Sequence, residues 1–202
     1  MPTLSSELRN KLERVVIEAR DTAEVGARTA LEALAVHHHE PYPHMTPDQR
    51  KLRNHLRARA RQLGDRRLSK ADSSGMDHEI AHLAGECAYE HWHRMLFARF
   101  LAENGLLIEP ESGVAITLDE AEELAKEEGE RRKEEGGKAD VWDYVSRCAQ
   151  RMLPQIFRPD DPLLQVSFAT EHRIKLESLL ASLPAEVFTA SDALGWVYQF
   201  WQ

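Results

Sequence analysis

Cysteine is scarce: the 202 residues include two, Cys87 and Cys148, far apart and outside any C-x-x-C spacing. That excludes a disulfide framework and a thiolate zinc site, and it predicts two reduced, half-buried thiols. Long apolar runs are lacking too, since none approaches the ~18 residues a membrane span needs. The N-terminal M-P-T-L-S-S-E-L-R-N-K has no secretory apolar stretch, so a cytoplasmic protein without a membrane partner is expected. Neither G-x-x-x-x-G-K-[ST] nor G-x-G-x-x-G occurs, which removes the common nucleotide loops. A G-x-S-x-G nucleophile elbow is absent as well. None of the seven lysines has Asp or Glu two residues before it, so the D/E-x-K half of a metal-dependent nuclease site is missing. No catalytic residue is assigned.

What is present is helical pattern and uneven charge. The chain is 42% hydrophobic and 30% charged, with a net charge of −8, which suits a single domain over residues 1–202 with a core of its own. Sub-parts are expected at 1–70, a basic helical arm, and 71–202, the core helices. Leu8, Leu12, Val15, Val16, Ala19 and Ala23 recur at three- and four-residue steps, so a helix opening at Ser5 or Ser6 should run towards Leu34, with Gly26 as an interruption. Thr46-Pro47-Asp48-Gln49 reads as a capping box with proline at the first helical position, followed by a helix to Leu63-Gly64. Ser74 to Asp77 offers a cap for a core helix carrying Ile80, Leu83, Cys87, Trp92, Leu96 and Phe100 to Asn104-Gly105. Leu106 to Ile116 predicts a small hairpin, and Thr117 with Glu120 a second capping box. Gly129 and Gly136-Gly137 should loosen the acidic helix that follows. An amphipathic helix from Asp140, a strand over Leu163–Phe168, a helix over Thr170–Leu183 and a last helix over Thr189–Trp201, capped by Thr189 and Asp192, complete the reading. The expected fold is mainly α, about six to seven helices with at most a small β-hairpin or short strands.

Two charge runs stand out. Arg50 to Lys70 holds nine Lys/Arg against the single Asp65, either a solvated face or a positive patch able to contact phosphates. Arg53, Arg57, Arg61, Arg66 and Arg67 are its candidate phosphate contacts. Asp119 to Glu135 is the reverse, a run of carboxylates interleaved with Lys126, Arg131, Arg132 and Lys133 at spacings that favour a solvated helix.

Histidines supply the metal alternatives. His78-Glu79-Ile80-Ala81-His82 fits H-E-x-x-H, in which a helix would put His78 and His82 on one face to bind zinc while Glu79 activates water, the basis of an alternative zinc-hydrolase reading. The longer pattern fails at Ala88, where it needs a third histidine. His37, His39 and His44 form a second candidate cluster, without standard ligand spacing and within a proline-rich connection.

The last residues are aromatic: Trp196, Tyr198, Phe200 and Trp201. Each large ring buries roughly 150 to 250 Å² when packed, so this helix predicts either coverage by its own core or a surface for another body, with self-association as one outcome.

Three stretches, Glu86 to Pro110, Arg151 to Pro162 and Leu183 to Gln202 with its W-V-Y-Q-F-W-Q, resemble the N-terminal region of adenine-specific DNA methyltransferases. The likeness is to those related to type IIS restriction-modification enzymes and to BREX-like phage-defence methyltransferases, and it extends over essentially the whole chain, least in the acidic insert. It implies a noncatalytic helical module, with DNA as a partner and S-adenosylmethionine as the cofactor of a catalytic methyltransferase domain that this chain lacks. A scaffold for a partner defence protein is the other reading. The departures agree with that: N/D-P-P-Y/F/W is absent, Asp161-Pro162-Leu163-Leu164 being the nearest string, and there is no F-x-G-x-G loop. Without the pocket that grips a flipped adenine, transfer to N6 is not expected in this chain.

Overall fold

Ser5 accepts the Leu8 N–H at 3.2 Å and opens α1, Ser6–Ala33. This is a computed structural model, and it describes residues 3–68, 77–133, 141–155, 157–158 and 160–202. Seven further α-helices follow among them: α2 Pro47–Leu63, α3 Ala81–Glu103, α4 Leu118–Lys133, α5 Val141–Met152, α6 Thr170–Ala181, α7 Ala185–Thr189 and α8 Ala193–Trp201. A 3₁₀ turn spans Pro162–Gln165. The fold is mainly α, as the periodicity predicts.

Local chemistry explains most of the boundaries. At α2, the Thr46 hydroxyl accepts the Gln49 N–H at 3.2 Å while Gln49 Oε1 accepts the Thr46 N–H at 2.9 Å, closing the capping box. The same exchange occurs at α4, where Thr117 Oγ1 accepts the Glu120 N–H and Glu120 Oε2 accepts the Thr117 N–H. Helices α1, α2 and α3 all end in one motif. The pairs Val36 N to Leu31 O, Asp65 N to Ala60 O and Leu106 N to Leu101 O close it, with Ala35, Gly64 and Gly105 at positive φ. At two of these sites a glycine takes the left-handed conformation; at Ala35, φ 52°, a side chain takes it at a steric cost.

Several boundaries depart from expectation. Leu163–Phe168 is not a strand: Asp161 Oδ1 accepts the Leu163 N–H at 3.0 Å and Pro162 sits at the first position, which together favour a 3₁₀ turn. Gly26 and Gly129 lie within continuous helix. The last helix starts at Ala193 and not at Thr189: Thr189 closes the separate short α7, Ala190 is extended, and the Asp192 side chain accepts from Leu4 N and Trp196 Nε1 and caps no backbone N–H of α8. The expected hairpin is one antiparallel bridge, Ile108 with Ala115. Ser74 and the Gly136-Gly137 pair lie outside the described residues.

Two compact units emerge. One comprises Met1–Val15, His93–Pro159 and Ser182–Gln202, the other Val16–Trp92 and Asp160–Ala181. In the first, α4 packs on α5 around buried Ala98, Leu101, Leu107, Val145, Cys148 and Phe157. In the second, buried positions of α1 such as Val16, Ala19, Ala23, Ala27 and Leu31 match its three- and four-residue apolar spacing. Gly26 lies among them, where a Cβ would stand 3.1 Å from both His172 Cβ and Phe168 Cδ2. Both cysteines are buried; burial pushes the Cys148 thiol up to about 11 and the Cys87 thiol higher still. No described helix is long and apolar enough to cross a membrane.

Candidate nucleic-acid interface

Arg53 shares a stripe of α2 with Leu56 and Ala60, at i, i+3 and i+7, and all three are buried. Helical spacing therefore aims Arg53 inward. Its Nε donates to Ala35 O at 2.8 Å, and its Nη2 donates to His38 O at 2.6 Å and His39 O at 3.0 Å. Arg57, one turn on, donates from Nη1 to Val36 O at 2.7 Å and His38 O at 2.6 Å. Two guanidinium groups thus hold the carbonyls of the histidine-rich loop that follows α1. Burial, and then the neighbouring Arg57 charge, lower the Arg53 pKa, while Asp77 and Glu40 oppose the shift.

Asp77 completes this clamp. Its side chain is 4% exposed and meets Arg57 Nη2 at 3.0 and 3.2 Å, His39 Nδ1 at 3.1 Å and Arg67 Nε at 3.8 Å. Burial works to raise its pKa, but the hydrogen bonds from His39 and Arg57 prevail and hold the carboxyl below its ordinary range. Residues on either side pair antiparallel, with Leu68 N to Asp77 O at 2.8 Å and Glu79 N to Arg66 O at 3.0 Å around the Arg67–His78 bridge. Arg66 and Arg67 therefore leave an extended segment just past the positive-φ Gly64.

The nine cations of the basic run divide by what they touch. Arg53 and Arg57 face inward, and Arg59 forms a bidentate pair with Glu86, whose hydrogen bond raises the Arg59 pKa. The other candidates stay outward. Arg61 is exposed; Arg66 and Arg67 side chains are 84% and 67% exposed, with longer contacts of 3.6 Å to Glu79 and 3.8 Å to Asp77. Lys51, also exposed, and Arg50, which donates to Met45 O and Pro43 O, extend the face along α2. Lys70 lies outside the described residues. Of the candidates Arg53, Arg57, Arg61, Arg66 and Arg67, the last three stay exposed, as does Lys51, whereas the Arg50 guanidinium is engaged by the Met45 and Pro43 carbonyls.

The zinc geometry predicted at H-E-x-x-H does not form. Helix α3 starts at Ala81, so His78 stands in the paired segment and is not one helical turn from His82. His78 is fully buried, its Nδ1 2.7 Å from Glu79 O and its Nε2 without a hydrogen-bond partner. His82 Nδ1 turns to Asp65 Oδ1 at 3.0 Å, and Glu79 accepts the Arg66 N–H at 3.1 Å. Asp65 is the reason the helix begins where it does. Its buried carboxylate accepts the His82 and Leu83 N–H groups, both at 2.9 Å, and so caps α3 from seventeen and eighteen residues away. His37, His39 and His44 are not gathered on a centre either: His39 meets Asp77 and His44 stacks on Tyr42. Among the described residues no three His, Cys, Asp or Glu side chains are grouped to hold a metal ion.

The aromatic helix divides its rings. Trp196 stacks on Phe200 at 5.6 Å, donates its indole N–H to Asp192 and lies under the Arg9 guanidinium at 4.8 Å. Trp196, Phe200 and Trp201 are half-buried, whereas Tyr198 is 56% exposed. A separate open cleft of about 380 Å³, lined by Asp21, Glu24, Val25 and Arg28 of α1 and by Ala81, Ala84 and Gly85 of α3, gathers no catalytic set. Comparison with protein-family models, with curated proteins and with solved structures found no match.

Proposed function

We propose that this chain is a noncatalytic helical module of an adenine-specific DNA methyltransferase system of the type IIS restriction-modification kind, holding DNA by its phosphates. The observation that supports the DNA role is the outward set Lys51, Arg61, Arg66 and Arg67, kept exposed while Arg53 and Arg57 turn to the carbonyls of residues 35, 36, 38 and 39 and Arg57 to Asp77. Such cations position a nucleic acid without reading its sequence. S-adenosylmethionine and the transfer step belong to a separate methyltransferase domain, and α8, with exposed Tyr198 and half-buried Trp196, Phe200 and Trp201, is the surface offered to that domain.

The test is binding to a labelled DNA of about 20 nucleotides per strand, titrated from roughly 50 to 300 mM salt. Arg61→Glu/Arg66→Glu/Arg67→Glu should weaken binding at least tenfold near 0.1 M salt and flatten the salt slope by about 2 to 3. A control reversal at Arg14 and Arg28 should leave the slope in place. Binding by the triple variant equal to the unaltered chain would overturn the reading.

A further inference from the structure

The loop that the arginine clamp holds carries rings. Tyr42 and His44 stack with centroids 5.8 Å apart and planes 19° from parallel, and His38 approaches Tyr42 at 5.6 Å with a tilt of 47°. Pro43 separates the two in sequence, and its carbonyl accepts from Arg50 Nη2 at 3.3 Å. Arg50 Nε also donates to Met45 O at 3.1 Å, so one guanidinium sits at the foot of the aromatic step. His44 is exposed and Tyr42 half-buried, and Lys51 is exposed beside Arg50 in α2.

This step is held in place before any partner arrives. Arg53 and Arg57 bond the carbonyls of residues 35, 36, 38 and 39 on one side of it. Buried Met45 and the Thr46 cap fix the other side. Pro41 and Pro43 restrict φ within it. A preordered surface loses little entropy on binding.

Aromatic faces next to cations suit one kind of ligand above others. Unpaired bases stack on such rings whatever their identity, while the cations follow the phosphates. Paired bases inside a duplex hide the faces that would stack. We propose that Tyr42 and His44, with Arg50 at their foot, form a stacking platform for unpaired bases, so that this face prefers single-stranded to paired nucleic acid. The proposal rests on the phosphate-binding reading of Lys51, Arg61, Arg66 and Arg67 and names the substrate class for that same face.

The experiment compares an oligothymidylate, an oligouridylate and a duplex, each about 12 nucleotides long, on the full chain at fixed salt. The expected order is single strand above duplex, with the thymidylate and uridylate arms separating DNA from RNA. His44→Ala and Tyr42→Ala should each lower single-strand affinity about tenfold, leave duplex affinity within about twofold and leave the salt slope unchanged, because stacking on a base displaces no counterion from a phosphate. Tyr42→Trp should retain binding. His44 is exposed, so its variant remains informative even where Tyr42→Ala perturbs the loop. Single-strand binding indifferent to His44→Ala and Tyr42→Ala, with duplex binding intact, would overturn the platform and leave the phosphate reading standing. Loss of binding to all three probes in the unaltered chain would overturn both.

Discussion

At the scale of single residues, polar side chains that read as surface act as internal fasteners. Asp65 is the clearest case. Its pKa is pushed up by burial but held below its ordinary value by the His82 and Leu83 N–H groups and by the His82 ring. A carboxyl with a depressed folded pKa stabilises the fold above its unfolded pKa of about 4 and loses that contribution as pH falls through the folded value. Asp65→Ala should therefore cost about 1 to 3 kcal/mol at neutral pH, since it removes a cap and leaves the buried Leu83 N–H and the part-buried His82 N–H without that partner. The difference from the unaltered protein should shrink below about pH 4, as the wild-type carboxyl protonates. Denaturant titrations at neutral and acid pH measure it. A constant difference across that range would show that the charge on Asp65 contributes nothing to the cap.

At the scale of elements, the two buried or half-buried glycines inside helices of the Val16–Trp92 unit make opposite demands. Adding a methyl at Gly85 meets nothing within 4 Å, so Gly85→Ala in α3 should stabilise by about 0.5 to 1 kcal/mol through helix propensity alone. At Gly26 the same methyl would press on His172 Cβ and the Phe168 ring at 3.1 Å, and overpacking of about 1 to 3 kcal/mol outweighs the propensity gain. Melting temperatures moving in opposite directions are the expected result. The contrast also marks how far the sequence could be read. Helix periodicity, the Thr46 and Thr117 boxes and the glycine ends at 64 and 105 are carried by neighbouring residues, and they were legible. The cap of α3 by Asp65 and the clamp on the histidine loop join residues that lie far apart along the chain, and no local pattern encodes them. The inward turn of Arg53 was legible in principle, because Arg53 shares one helical stripe with Leu56 and Ala60. Charge density in the Arg50–Lys70 run obscured that spacing.

At the scale of the whole molecule, the chain carries a net charge of −8 although Lys51, Arg61, Arg66 and Arg67 are exposed cations, and the two contributions should be separable by ionic strength. At about 0.1 M salt the Debye length is about 10 Å, so a bound phosphate chain feels mainly the cations it touches. The four phosphate contacts proposed above, Lys51, Arg61, Arg66 and Arg67, would give a log–log salt slope of about −3 to −4, depending on whether the strand is single or paired. Near 0.01 M salt the Debye length grows to about 30 Å, and the acidic remainder of the chain enters the field seen by the ligand. Repulsion from that remainder then offsets the gain from reduced screening. Affinity measured by anisotropy should rise along a straight line down to roughly 50 mM and flatten below it. A line that stays straight and steep to the lowest salt would mean that the −8 is not felt at the binding face, and that steering by the local patch alone governs association.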